Sequence, residues 1–266
     1  MLSEQQIIAY ACTLREQVGH DRTSPIESIE EVIRIAGYQL QEESFGDEFS
    51  GFSCMVGPME YLIGFNTDHN WSRGFRRFTL AHELGHLTIP HHVEMLEGIR
   101  IHRSKPEFQS GNAVEREADL FATNFLAPRS AAANQTKGYD FTRGAVEHLA
   151  AYFGLSLYSA AHRFVETTDL ACSLVVCDGN GRVVYEKRSR SMENSLRHSF
   201  INGARVSRYT LASDYISGNT SENDVDIRLN DWYPNLEQDV EAKESVLALG
   251  YNGRYLAMLT PYHTDF

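Results

Sequence analysis

The spacing of apolar residues predicts two helices and three short strands in the first 66 residues of the chain. Ser3 with Gln6 three residues later is typical of a capping box, so the first helix is predicted to begin there. A second helix is predicted to begin at Ser24-Pro25 and to end at Gly37. Short apolar runs then predict three strands, at residues 38–42, 51–56 and 61–65. We expect the strand at 61–65 to be an exposed sheet edge, where an extended peptide could pair as an added strand.

Residues 72–89 are predicted to form a helix that lies inside a core. Two opposite faces of this helix carry apolar side chains, Phe75, Phe78 and Ile89 on one and Leu80, Leu84 and Leu87 on the other. His82 and His86 lie on the first of these faces. Buried histidines and a buried glutamate are costly unless they have partners, and a metal ion would supply one. Pro90 predicts the end of the helix.

Residues 82–86 of this helix read His-Glu-Leu-Gly-His, which fits the zinc-binding pattern His-Glu-x-x-His. Histidines four residues apart lie about 5–6 Å apart at Cβ on one helix face. Both rings can therefore bind one ion at roughly 2.0–2.1 Å. The pattern predicts His82 and His86 as metal ligands and Glu83 as the general base that takes a proton from water. The alternative is a chance match within a buried helix.

Two residues compete for the role of third ligand. His92 stands where an extended form of the pattern places its last ligand, but that form needs glycine where Ile89 stands. Glu115 lies on a second predicted helix and completes a His₂Glu set, which is a known catalytic zinc arrangement. We favour Glu115. Asp119, one turn further on, is predicted to accept the N–H of a ligating histidine, whereas Glu117 is predicted to be a solvated charge.

Two blocks of sequence resemble the ImmA/IrrE family of zinc metallopeptidases. They are Arg-Phe-Thr-Leu-Ala-His-Glu-Leu-Gly-His at 77–86 and Glu-Arg-Glu-Ala-Asp-Leu-Phe-Ala at 115–122, followed by Pro128. The resemblance implies a zinc endopeptidase that cuts a helix-turn-helix repressor of the XRE type and so releases stress-response or mobile-element genes. Zn²⁺ is the expected cofactor, although the same ligands accept Mn²⁺ or another divalent ion. Four side chains are candidates for stabilising the oxyanion that forms when water attacks the peptide carbonyl: Tyr61, His91, His92 and His102.

The predicted fold is α+β, in three parts. Residues 1–130 form a zincin-like peptidase domain with a small sheet and two ligand helices, separated by a polar connection at 91–111. Residues 131–168 form a helix-turn-helix-like pair, and residues 169–266 an α+β module that resembles GAF or PAS sensor domains. Further expectations for this last part are two hairpins, about residues 179–181 and 252–253, a helix at 192–203 and an acidic loop at 217–231. The module is expected to act as a sensor or as a dimerisation domain, which would make a homodimer.

Composition adds information about partners and location. The net charge of −12 over 266 residues argues against direct binding to DNA or to anionic membranes and favours a basic protein partner. The four cysteines lack Cys-x-x-Cys spacing, and no apolar run is long enough for a bilayer, so we expect a cytoplasmic protein. The alternative function is a non-proteolytic regulatory protein with a structural metal site, which senses a ligand or contacts DNA through its C-terminal half.

Overall fold

The chain has an α+β fold, as predicted, with two separate sheets. The computed structural model describes residues 1–69, 72–105, 112–196, 203–220, 223–249 and 253–263. They form two compact units, Met1–Ala131 with Ala151–Ser156, and Ala132–Ala150 with Leu157–Phe266. The predicted division at residues 130 and 168 stays a prediction. Within the described residues, no helix is long and apolar enough to cross a membrane.

The first unit contains the predicted helices and strands together with a helix and a strand that were not predicted. In chain order they are α1 (Glu4–Gln17), α2 (Ile29–Ile35), β1 (Gln39–Glu43), β2 (Gly51–Gly57), β3 (Glu60–Asn66), α3 (Arg73–Thr88), α4 (Pro90–Ile99), β4 (Ile101–Ser104) and α5 (Ala113–Leu126). The capping box at Ser3 and Gln6 is confirmed. The predicted start of the second helix is wrong, because Ser28 rather than Ser24 caps α2. The carbonyls of Ile26 and Glu27 instead accept hydrogen bonds from the Arg77 guanidinium, which holds them outside the helix.

The first sheet has the strand order β1-β3-β2-β4. β3 pairs with β1 in parallel and with β2 antiparallel, so the prediction that residues 61–65 form an exposed edge is wrong. The edges are β1 and β4, and β4 pairs antiparallel with β2 on its inner side. The pattern of apolar residues within β3 does not predict an interior position, because that position depends on which other strands pair with its two sides.

The predicted polar connection at 91–111 contains regular structure. Pro90 ends α3 as predicted, but it is also the first residue of α4, since proline is well tolerated at the first helical position. Ile89 joins the two helices with extended backbone angles (φ −80°, ψ 118°). β4 follows α4 directly, and residues 106–111 of the predicted connection lie outside the described residues.

The second unit is built on an antiparallel sheet of order β6-β5-β9-β8-β7. In chain order the elements after α5 are α6 (Arg129–Thr136), α7 (Arg143–Phe153), α8 (Leu157–Thr167), β5 (Ser173–Cys177), β6 (Val183–Arg188), α9 (Arg190–Ser195), α10 (Leu211–Ile216), β7 (Val225–Arg228), β8 (Glu241–Ala248) and β9 (Tyr255–Pro261). α7 and α8 flank Gly154, which has a φ of +66°, as expected for a helix-turn-helix-like pair. Both predicted hairpins are present, although Asn252 lies outside the described residues. The predicted acidic loop contains β7, and only the first part of the predicted helix at 192–203 is described, as α9.

A buried carboxylate lies in the core of the second unit. Glu244 on β8 is fully buried and accepts hydrogen bonds from the backbone N–H groups of Leu211 (2.8 Å) and Ala212 (3.0 Å) at the start of α10. Burial raises the pKa of Glu244 to about 7, because the two N–H groups only partly replace the water that a carboxylate would bind in solution.

This raised pKa predicts a pH dependence of stability. The folded chain holds the Glu244 proton more tightly than the unfolded chain, so the free energy of unfolding should fall as the pH rises from about 4.5 to about 7. The fall should be at most roughly 3 kcal/mol, at 1.36 kcal/mol per pKa unit. Urea unfolding followed by tryptophan fluorescence, in a Trp71→Phe background so that only Trp232 reports, should show this slope. A Glu244→Gln variant should lose it and a Glu241→Gln variant, altered at an exposed position of the same strand, should keep it. Equal slopes in all three proteins would show that Glu244 is not responsible.

Candidate metal centre

The two histidines of α3 face the same point. Ser72 caps the helix through a hydrogen bond to the N–H of Phe75, and the four-residue spacing places His82 and His86 on one face. Their Nε2 atoms are 3.1 Å apart, and both side chains are buried. Two imidazole nitrogens are therefore directed at one position inside the first unit.

α5 adds a carboxylate to this pair. Glu115 Oε2 lies 3.3 Å from His82 Nε2, and Glu115 Oε1 lies 3.6 Å from His86 Nε2. The close approach of the two helices needs glycine at position 85, because a Cβ there would stand 2.9 Å from the Phe121 ring of α5. The glycine in the middle of the motif thus helps to bring the third side chain to the other two.

The separations between the polar atoms of these three side chains fit a metal ion. Ligands at roughly 2.0–2.1 Å from a tetrahedral ion are about 3.3–3.4 Å apart, and the observed separations of 3.1, 3.3 and 3.6 Å are close to this. His82, His86 and Glu115 can therefore hold a divalent cation. Three protein ligands would leave one position of a tetrahedral ion open.

The electrostatics of the group favour a cation. Burial lowers the pKa of His82, but hydrogen bonds to Asp119 and Glu115 outweigh it and raise that pKa to about 10. Burial and the charge of His82 lower the pKa of His86 well below its usual value, so the neighbouring ring stays neutral. A group that holds a proton this strongly also attracts a metal ion, because metal and proton compete for the same nitrogen and oxygen atoms.

Asp119 lies where its predicted role requires. Its Oδ1 is 2.8 Å from Nδ1 of His82, so the Nδ1–H of that ring donates to the carboxylate. In the neutral form of His82 that can bind a metal ion, the lone pair is then on Nε2, the atom that faces His86 and Glu115. The carboxylate thereby sets both the tautomer and the orientation of the ring.

Glu83 is fully buried next to the histidine pair and has one oxygen in use. Ser53 on β2 donates to its Oε2 at 2.6 Å, whereas its Oε1 has no hydrogen-bond partner among the described residues. Burial raises the pKa of Glu83. An unpaired buried carboxylate oxygen costs roughly 1–3 kcal/mol or more, so its retention here points to a partner that arrives during function.

The structure pairs His92 with a carboxylate outside this centre. His92 follows the junction at Ile89 and lies on α4, where its Nε2 is 2.9 Å from Glu117 Oε2. The prediction that Glu117 is a solvated charge is wrong. Glu117 is buried and accepts a hydrogen bond from the N–H of Leu2, because α1 packs against α5 and the two histidines in the first turn of α4 contact the carboxylate.

Two further side chains belong to the centre. Ser53 binds Glu83, and His102 on β4 has its Nε2 2.7 Å from Glu115 Oε1. The sequence predicts His102 only as a candidate for stabilising the oxyanion, and it predicts no role for Ser53. Both come from strands, so no helical spacing ties them to the motif, and only the sheet brings them to α3 and α5. Tyr61, another of those candidates, pairs with Glu97 instead.

Comparison with known proteins agrees with this arrangement. Residues 35–165 match the model of the Peptidase_M78 family, described as the IrrE N-terminal-like domain. A solved structure of a Mycobacterium tuberculosis transcriptional regulator superposes with a TM-score of 0.62, covering 97% of this chain and 76% of that chain at 14% identity, a likeness that shows the fold alone. A search of curated proteins found no match to the sequence. The family match spans every residue of the centre described above, so the resemblance to ImmA/IrrE is confirmed for this part of the chain, and residues 35–165 are an IrrE N-terminal-like domain of the Peptidase_M78 family.

Proposed function

We propose that this protein is a zinc-dependent endopeptidase that cleaves an XRE-type helix-turn-helix repressor and so derepresses stress-response or mobile-element genes. The observation that carries the proposal is the convergence of His82, His86 and Glu115 beside a buried Glu83 whose Oε1 is unpaired. Structural zinc sites are commonly closed by four protein ligands, whereas catalytic sites keep a position open. The described side chains fit the second kind.

The ligands and their supports have separate tasks. His82, His86 and Glu115 would hold the ion, with zinc preferred and manganese accepted by the same donor set. When bound, zinc supplies Lewis-acid polarisation of the scissile carbonyl and makes water a nucleophile near neutral pH. Asp119 keeps the Nε2 lone pair of His82 available, and His102 orients the Glu115 carboxylate.

Glu83 would move the proton. Ser53 occupies Oε2, so Oε1 is the atom that accepts a proton from the attacking water and later delivers it to the departing amine. The raised pKa of Glu83 suits this task, because a raised pKa makes the carboxylate a stronger base towards the proton of water.

The edge strand β4 offers a place for the substrate. Among the described residues, β4 pairs with β2 alone, and its His102 contacts the ligand Glu115. An extended peptide that added to β4 would therefore pass the metal ligands, held by backbone hydrogen bonds. The net charge of −12 favours a basic partner, as DNA-binding repressors commonly are.

The second unit supports a protein partner rather than DNA. Arg163, a basic residue on α8, is buried and paired with Glu166, and His162 of the same helix contacts Tyr185. A recognition helix needs such groups on its exposed face to reach bases and phosphates. We therefore do not propose direct DNA binding. The GAF- or PAS-like character of this unit stays a prediction.

Cleavage in the presence and absence of chelator tests the proposal. The zinc-loaded protein should cut an XRE-type repressor encoded in the same genome, EDTA should stop the reaction, and added Zn²⁺ should restore it. If the zinc-loaded protein leaves all such repressors intact, the alternative of a regulatory protein with a structural metal site gains support. A partial restoration by Mn²⁺ would identify a less selective site, still of the proposed kind.

A further inference from the structure

A second histidine–carboxylate group joins the start of α4 to α5. His91 and His92, in the first turn of α4, have their Nε2 atoms 2.6 Å and 2.9 Å from the same oxygen, Oε2 of Glu117. The side chains of His92 and Glu117 are 0% and 8% exposed, whereas that of His91 is 36% exposed. We call these three residues the α4–α5 cluster.

We infer that the α4–α5 cluster is a second binding site for a divalent transition-metal ion. Its two imidazole nitrogens and one carboxylate suit ions such as Zn²⁺, Co²⁺ and Ni²⁺. The cluster has the same donor set as the first centre but shares no residue with it. The inference does not depend on peptidase activity, because it concerns binding by other side chains.

The convergence of the two histidines is the first argument. Neighbouring residues of a helix project about 100° apart, so adjacent side chains ordinarily diverge. Here both rings turn towards one carboxylate oxygen, and the ring centroids are 4.5 Å apart. All three potential ligand atoms lie within 4.8 Å of one another, which is close enough for a single ion to reach each of them.

The second argument is the hydrogen bonding around the potential ligands. Glu117 Oε1 accepts the backbone N–H of Leu2 at 2.9 Å, which fixes the carboxylate and leaves Oε2 for the cluster. Ligating carboxylates are typically oriented by such a bond. Nδ1 of His92 is buried without a hydrogen-bond partner among the described residues, so no other group fixes the tautomer of this ring. The Nε2–H of His92 donates to Glu117 in the metal-free protein, so a metal ion that binds Nε2 would displace this proton or shift it to Nδ1.

The position of the cluster indicates what a bound ion would do. It would join α4, α5 and, through Leu2, the segment before α1. It would also lie beside the first centre, since the rings of His86 and His92 are only 5.0 Å apart. Because His91 is partly exposed whereas the ligands of the first centre are buried, an ion in the α4–α5 cluster should exchange faster with solvent. A bound ion would thus hold α4 against α5 and could leave again into solvent.

Zinc titration of the full chain tests this inference. The metal-free wild-type protein should bind two equivalents of Zn²⁺, measured by elemental analysis after equilibrium dialysis over a range of free zinc. His91→Gln, at a partly exposed position, should weaken binding of the second equivalent by at least about 10–100-fold. Mutation of a residue that only hydrogen-bonds to a metal ligand already lowers metal affinity by this much. Glu117→Gln should do the same. His263→Gln, which changes an exposed histidine elsewhere, should leave both equivalents unchanged.

Other variants separate this site from the first centre. Glu115→Gln should bind the second equivalent with wild-type affinity, and Glu115→Gln combined with His91→Gln should bind both equivalents more weakly than the wild type. Circular dichroism of each variant checks that the fold is kept. Binding of a single equivalent by the wild type at saturating zinc, or an unchanged second equivalent in His91→Gln, would overturn the inference. Neither result would bear on repressor cleavage, which the chelator experiment tests by itself.

Discussion

A Glu83→Gln variant is expected to cleave the repressor about 10²–10⁴-fold more slowly than the wild type, the range typical for loss of a general acid–base. The amide has nearly the shape of the carboxyl group and can still accept the hydrogen bond from Ser53, but it cannot take a proton. Replacing a fully buried carboxylate by a neutral group should not lower the free energy of unfolding, because burial already disfavours the charged form. Single-turnover cleavage and urea unfolding measure these two quantities, and metal content shows whether the variant still binds zinc.

A matched variant on the same protein sharpens this result. Glu94→Gln makes the same chemical change at an exposed position of α4 and should cleave at the wild-type rate. Wild-type cleavage by Glu83→Gln would remove Glu83 from the proton-transfer role. Loss of metal together with activity would instead assign Glu83 to metal binding, which its sequence position beside His82 does not predict.

A Glu115→Gln variant should lose most of its affinity for zinc at the first centre. Binding of structural zinc contributes roughly 10–16 kcal/mol through four ligands, so one ligand accounts for about 2.5–4 kcal/mol, or on the order of 10²–10³-fold in affinity. Competition with a chromogenic chelator measures the change. The measurement is best made in a His91→Gln background, so that only the first centre reports.

Glu117→Gln is the control for this assignment. Glu117 lies two residues from Glu115 on the same helix but faces His91 and His92. In the His91→Gln background, Glu117→Gln should therefore leave zinc affinity at the first centre within a few-fold of the starting value. A larger loss from Glu117→Gln than from Glu115→Gln would show that the ligand assignment is wrong. Cleavage rates at saturating zinc should follow the same order as the affinities.

Much of the first centre could be predicted because it depends on local geometry. The four-residue spacing of His82 and His86 determines that they share a helix face, and the same spacing places Asp119 on the face of Glu115. The choice of Glu115 over His92 also came from local chemistry, since Ile89 cannot supply the glycine turn that His92 would need. Capping at Ser3 and Ser72 and the strands of both hairpins follow equally local patterns.

The sequence by itself determined which side chains each helix and strand presents on one face, because the backbone repeats every 3.6 or 2 residues whatever surrounds it. Only the tertiary structure decided which faces meet. It placed β3 inside the sheet and β4 at its edge, and it brought Ser53 to Glu83 and His102 to Glu115. It also buried Glu117 beneath two histidines. These neighbours are distant in sequence, and their contacts follow from packing between whole elements rather than from any local repeat.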